Sequence, residues 1–510
     1  MQIRITRASA ILATAAAIGL LPSLATAESA HLTQADDPYF KQAEATLQRV
    51  MTQQKNIGRA RNVILFVGDG MGFSTVTATR ILAGQRRGVD GESNVLTFES
   101  LPYLAASKTY SSDGQVSDSA PTATAMTTGV KTRNDVIGVS HDVAVGDCKA
   151  ALAGSVTTIF EMAETAGMST GAISTARITH ATPAATFAHT PMRDWESDAE
   201  MPAEAAADGC VDIARQLVEM KYGDGMEVAL GGGRAYFLPA EAADPEDEGK
   251  MGRRKDGRDL TRAWTQRYGN NGAYVWNARQ LDAIDPADVD HLLGLFETSH
   301  MEYEADRAKD KGGEPSLAEM TVKAIDILKK NPQGFVLMVE GGRIDHAHHA
   351  GNAYRALTDG IAFDEAIEAA MSKVDLDETL IVVTADHSHS LTINGYPQRG
   401  NPILGISRWD GEPVLADDKK PYTTLSYANG PGARSGERAD LGSVDTTDMD
   451  FVQQALVPMA SETHTGEDLG IYAGGPWAHL FQGTVEQNYI YHVIDFASKI
   501  SERAGQRAAR

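Results

Sequence analysis

The sequence predicts an α/β fold: a large doubly wound, mostly parallel sheet with helices on both faces, plus inserted subdomains. Three observations predict it. Short apolar runs alternate with amphipathic stretches along most of the chain. Three of those runs end on acidic residues, Asp69, Glu340 and Asp386, where strands of an open α/β sheet carry their site and where an unused carboxylate would be costly to desolvate. Asp69 and Asp386 stand 317 positions apart, so the three acids imply one large domain sharing one site.

The elements follow in order. Arg4 and Arg7, the apolar stretch from Ala8 to Leu24 and the small residues Ala25-Thr26-Ala27 read as a signal peptide over 1–27. Residues 28–510 are then a single exported domain, periplasmic or secreted, and no later run is long and apolar enough to span a membrane. A helical stretch from Pro38 to Gln53 looks like an appendage. Strands are expected at 62–67 (NVILFV), 171–175, 227–230, 335–339 (FVLMV), 379–384 (TLIVVT) and 469–473, and helices at 156–166, 211–220, 317–330 and 353–372. Two stretches read as insertions: a polar, irregular one over about 239–315 and one rich in Gly, Pro and Asp over about 391–450.

The net charge of −23 disfavours a nucleic-acid partner, whose phosphates call for a basic surface. The chain has two cysteines, Cys148 and Cys210. In an oxidising compartment they can form one bridge, and the pattern equally allows two buried thiols.

The chemistry-bearing residues gather in four places. In Asp345-His346-Ala347-His348-His349, a helix would put Asp345 and His349 on one face, a good pair of zinc ligands, although such tracts are also found solvated. Asp386-His387-Ser388-His389 follows a strand directly, where Asp386 and His387 can bind one ion or cap a helix. His464 is a candidate last ligand. In Asp118-Ser119-Ala120-Pro121, Ser119 stands at a helix start, where the dipole favours an incoming phosphate; Asp118 or Ser119 could also be a plain cap.

Taken together, Asp69, Ser119, Glu340, Asp345, His349, Asp386, His387 and His464, in this order, resemble the alkaline phosphatase family over about residues 60–500. Supporting matches are Arg177-Ile178-Thr179-His180-Ala181-Thr182-Pro183, Ala188-His189-Thr190-Pro191-Met192-Arg193-Asp194-Trp195 and Gly231-Gly232-Gly233-Arg234. Tyr274-Val275-Trp276-Asn277, Gly294-Leu295-Phe296-Glu297 and Glu462-Thr463-His464-Thr465-Gly466-Glu467-Asp468 are similar to the animal-type subfamily.

The resemblance implies a phosphate monoesterase working through a phosphoserine on Ser119. It implies one zinc on Asp345, His349 and His464, and a second on Asp69, Asp386 and His387. Magnesium would sit on Asp69, Thr182 and Glu340, with His180 beside it. Arg193 would grip two phosphate oxygens, His346 would stand near the ions, and His348 and His389 would support from outside. The resemblance further implies a Cys148–Cys210 disulfide and a homodimer. A fourth metal, calcium, would lie in the first insertion on Glu246, Glu297, Glu314 and the Phe296 carbonyl. A sulfatase reading fails on the residues: sulfatases place Arg four positions after the nucleophile, and position 123 is Ala.

Overall fold

The computed structural model describes residues 33–509; the signal peptide read over 1–27 lies outside them. The chain divides into two units, 1–53 and 54–510. In the first, helix Pro38–Thr52 starts on Asp37, whose carboxylate accepts from the Tyr39 and Phe40 N–H groups, with Pro38 in the first turn where its missing donor costs nothing.

The second unit is built on a ten-stranded sheet. Its strands are β1 (Asn62–Gly68), β2 (Tyr103–Lys108), β3 (Ser169–Arg177), β4 (Val228–Gly232), β5 (Gly272–Val275), β6 (His291–Leu295), β7 (Phe335–Gly341), β8 (Thr379–Ala385), β9 (Leu469–Gly474) and β10 (Thr484–Glu486). Across the sheet they run β10-β2-β9-β8-β1-β7-β3-β4-β6-β5. All neighbours pair in parallel except β9, which lies antiparallel to both β2 and β8. The run at 469–473 is therefore a strand as expected, but of opposite direction.

Side chains alternate between two faces, as a strand period of two requires. Val63, Leu65 and Val67 pack with Ile159, Phe160 and Ile490 on one face. Ile64 and Phe66 pack with Leu317, Ile325 and Phe363 on the other. A strand covered on both faces has no polar side, which is why NVILFV and FVLMV are unbroken apolar runs. Of the expected helices, the structure places Ile159–Ala166, Ile213–Val218, Leu317–Leu328 and Ala353–Lys373. The 239–315 stretch is not irregular throughout: it forms helix Leu260–Tyr268 and gives β5 and β6 to the main sheet. The 391–450 stretch contributes to a small sheet of Leu391–Ile393, Leu425–Gly430 and Ala455–Pro458, and to a hairpin of Arg408–Trp409 with Glu412–Pro413. No helix among the described residues is long and apolar enough to cross a membrane.

Candidate active site

Register brings the strand-end acids together. Val67 pairs with Glu340, and Gly68 pairs with both Gly341 and Ala385. Asp69, Glu340 and Asp386 therefore leave three adjacent strands side by side, and all three are fully buried.

Asp345 and His349 share a face of helix Arg343–His349, with His349 Nε2 at 3.3 Å from Asp345 Oδ1. His464 pairs with His389 in a two-residue antiparallel bridge and reaches the same Asp345 oxygen at 3.3 Å. His349 Nδ1 faces the Glu462 carbonyl at 2.6 Å, and His464 Nδ1 faces that of Ser117 at 2.9 Å. Each Nδ1 thus carries a proton for its carbonyl and each Nε2 turns toward Asp345, the orientation typical of ligating histidines. His389 approaches Asp345 Oδ1 at 2.7 Å and Glu462 Oε2 at 2.5 Å. Against the cost of burial, these two carboxylates push its pKa up to about 9. It braces Asp345 against Glu462.

A second group is Asp69, Asp386 and His387. Asp386 Oδ1 accepts from the Gly70 and His387 N–H groups at 3.0 and 2.8 Å, while Oδ2 turns inward, 3.2 Å from His387 Nε2. A third is Asp69, His180 and Glu340. Glu340 Oε2 accepts from Ser174. Both Asp69 oxygens, Asp386 Oδ2, Glu340 Oε1 and Thr182 Oγ1 are buried without a hydrogen-bond partner among the described residues.

Orphaned buried oxygens of this kind call for an explanation, and a bound cation supplies one. Burial, then the charges of Asp386, Asp345 and Glu340, push the Asp69 carboxyl well above its usual range; burial takes Glu340 to about 7. Burial also holds His180, His349 and His387 below the ordinary imidazole value, keeping them neutral and able to ligate. The donor sets fit divalent cations: carboxylates and imidazoles converge in Asp345, His349, His389 and His464, in Asp69, Asp386 and His387, and in Asp69, His180 and Glu340, their ligand atoms within 4.8 Å of one another in each group.

Ser119 opens the buried ten-residue helix Ser119–Thr128. Asp118 caps it by accepting from Ala120 N–H at 2.7 Å. Ser119 Oγ lies 3.2 Å from His387 Nε2. Arg193 comes from the loop after Thr190; its Nη1 donates to Asp118 Oδ1 at 2.9 Å and its Nη2 lies 3.1 Å from His180 Nε2. His346 packs against His180 and His300, with ring centroids 5.5 and 4.1 Å away. His348 is structural, bridging Thr75 Oγ1 and the Tyr427 hydroxyl.

Away from this centre, Cys148 and Cys210 are joined in a disulfide. In the first insertion the group that gathers is Glu246, Glu297 and Asp310. Glu314 lies beside them: it accepts from the Glu302 N–H through both oxygens, and burial, then the charge of Glu297, takes it to about 9. Sequence reasoning missed Asp310, one acid among many in a polar stretch, and His300, which follows no recognisable motif.

The sequence profile of the family described as Alkaline phosphatase matches residues 60–500. The chain is 46% identical over 491 residues to the tissue-nonspecific alkaline phosphatase isozyme of Gallus gallus, covering 94% of this chain and 93% of that one. The corresponding human isozyme is 46% identical over 484 residues, covering 93% and 90%. Among solved structures, an alkaline phosphatase of Thermus thermophilus superposes with a TM-score of 0.62 at 26% identity, covering 90% of this chain and 98% of that one. One from the Antarctic bacterium TAB5 superposes at 0.59 and 24% identity, covering 87% and 99%, a likeness of fold.

Proposed function

Since the chain belongs to the alkaline phosphatase family and is a phosphatase hydrolase, we propose that it cleaves phosphate monoesters through a covalent phosphoserine on Ser119. Asp345, His349 and His464 hold one zinc ion. Asp69, Asp386 and His387 hold a second. Asp69, Thr182 and Glu340 hold magnesium, with His180 at its edge. When bound, these ions supply Lewis acidity toward the phosphoryl, attacking and leaving oxygens.

The chain's own groups do the rest. The N-terminus of the Ser119 helix favours the phosphate dianion. Arg193 presents a planar fork to two of its oxygens, and Asp118 aims that fork. Ser119 Oγ gives up its proton and bonds phosphorus as the ester O–P bond breaks, and the alcohol departs protonated. Water then cleaves the phosphoserine, regenerating the hydroxyl and releasing inorganic phosphate. Little covalent work falls to the protein; positioning and electrostatics carry the rate. None of these residues is assigned to the alcohol portion, so a broad range of monoesters follows. The enzyme is exported, periplasmic or secreted, and acts as a homodimer.

The observation that carries this reading is Ser119 Oγ at 3.2 Å from His387 Nε2, at the start of a buried helix beside Arg193. Acid-quenched turnover with labelled phosphate should label Ser119. Ser119→Ala should lose more than about a thousandfold of activity while keeping its metals. Label on another residue refutes the assignment.

A further inference from the structure

The loop that carries Arg193 is clamped by a second histidine, His189. Its Nδ1 lies 2.7 Å from the Gly138 carbonyl, and its Nε2 lies 2.7 Å from Glu161 Oε1. Acceptors at both nitrogens require an N–H on each, so the ring is an imidazolium. Burial is the largest influence and opposes that charge, but the Glu161 hydrogen bond, the Glu161 charge and the Gly138 carbonyl together outweigh it, lifting the pKa above its ordinary value. Glu161 is 1% exposed, and its other oxygen accepts from Thr158 N–H in the capping box of helix Ile159–Ala166. The His189 backbone is fixed as well: its N–H donates to Gln216 Oε1 at 2.9 Å, and Gln216 Nε2 donates back to its carbonyl at 3.2 Å.

The segment that His189 grips is the one that holds Arg193. Ile137 and Thr190 exchange two backbone hydrogen bonds, at 3.0 and 2.9 Å, and Arg193 N–H donates to the Asp135 carbonyl at 2.7 Å. Asp135 N–H donates to Asp118 Oδ2, while Arg193 Nη1 holds Asp118 Oδ1. Residues 135–138, the Arg193 loop and the cap of the Ser119 helix are thus one assembly. Gly138 permits the close approach: its φ is +63°, and a Cβ there would stand 2.3 Å from the Ala188 carbonyl oxygen and 2.8 Å from His189 Nδ1.

We propose that His189 is a positioning residue for phosphate binding: by bridging Gly138 and Glu161 it sets the register of the loop that presents Arg193 to the substrate. The proposal rests on the reading of Arg193 as the phosphate-gripping residue. His189 acts through that arginine, and a fork that must meet two oxygens at once tolerates little displacement.

The test uses the zinc- and magnesium-loaded enzyme, with p-nitrophenyl phosphate as substrate and inorganic phosphate as inhibitor. His189→Ala should raise both KM and the phosphate Ki about tenfold, with a smaller loss in kcat. Glu161→Gln should stay within about twofold of wild type, because the substituted amide can still accept from Thr158 N–H through its oxygen while its nitrogen donates to a neutral His189 ring. In an Arg193→Ala background, His189→Ala should change Ki by no more than about twofold, since its route of action is gone. If His189→Ala does not accumulate as folded protein, His189→Gln, whose amide can serve only one of the two acceptors, is measured in its place. An unchanged Ki in the single variant overturns the proposal, as does a full additional loss in the double variant. Should Arg193→Ala itself leave Ki unchanged, the reading of Arg193 falls, and this inference with it.

Discussion

His349 Nε2 and His464 Nε2 face each other at 3.1 Å, each with its Nδ1 committed to a backbone carbonyl. Two imidazole lone pairs pointed at one another repel. A cation held between them removes that repulsion, and Asp345 Oδ1, 3.3 Å from both, completes the cradle. Chelation should therefore abolish phosphatase activity and also lower the melting temperature, because folding holds the two nitrogens together. Zinc with magnesium should restore both. Full activity in protein shown by elemental analysis to be metal-free would dismiss this centre.

The buried pair Glu164 and Glu227 makes a different kind of prediction. Glu164 Oε1 accepts from Thr170 Oγ1 at 2.6 Å, and Glu227 Oε2 accepts from Thr170 N–H at 2.6 Å. Burial and then the charge of Glu227 push Glu164 up to about 10; burial takes Glu227 to about 7. Both folded-state pKa values lie above the unfolded one. Their contribution to stability is complete below about pH 4.5 and is lost as pH rises through the folded values. Glu164→Gln removes one titrating group while keeping an oxygen for Thr170. Relative to wild type, it should gain about 1–2 kcal/mol between about pH 5 and about pH 9. Urea midpoints at the two pH values provide the check, and a difference that does not change with pH would sink it.

The contrast between these two sites explains what the sequence reveals. Strands ending on Asp69, Glu340 and Asp386 are legible because double-sided burial demands continuous apolar runs. Strand β5 is half-exposed and β2 carries Ala, Ser and Lys, so neither shows such a run. The direction of β9 depends on its partners, not on its composition. The ligand-type residues are legible as types, since acids and histidines placed directly after apolar strands are costly to bury without a partner. What joins them is tertiary: the His389 bridge from Asp345 to Glu462, Asp118 holding Arg193, and His189 holding its loop. No local pattern encodes a hydrogen bond between residues 75 positions apart, as between Asp118 and Arg193.

The Cys148–Cys210 bridge closes a loop of 62 residues. It packs against Trp195 and Ala205, with Met192 beside them, so it braces the chain on both sides of Arg193. A loop of that length implies roughly 4 kcal/mol of unfolded-state entropy loss. The double variant Cys148→Ala/Cys210→Ala should lose about 2–4 kcal/mol in urea unfolding. Thiol titration of the denatured, unreduced wild type should find no free thiol. Two free thiols per chain, or an unchanged unfolding midpoint in the variant, would rule out a stabilising bridge.

The acids of the first insertion should bind calcium and act on stability alone. Glu246, Glu297 and Asp310 bring carboxylate oxygens within 4.8 Å of one another. Burial, then the charge of Glu246, takes Glu297 to about 7, so the group holds its full charge only at a cost. Arg234 meets part of that cost by donating to Glu246 Oε2 at 2.8 Å, but the same guanidinium already holds both Asp244 oxygens. Several convergent carboxylate oxygens suit calcium, a hard cation that takes six to eight oxygens. Glu314, only 4% exposed, turns both oxygens to the Glu302 N–H, and burial, then the charge of Glu297, takes it to about 9, so it resists the charged form more than Glu297 does. The variants should therefore separate. Glu297→Gln and Asp310→Asn should each lose calcium by elemental analysis and lower the melting temperature by a few degrees, with kcat for p-nitrophenyl phosphate within about twofold of wild type. Glu314→Gln should keep its calcium. Loss of calcium in Glu314→Gln with retention in Asp310→Asn would exchange the two ligands, and a melting temperature indifferent to millimolar calcium would leave only an acidic cluster.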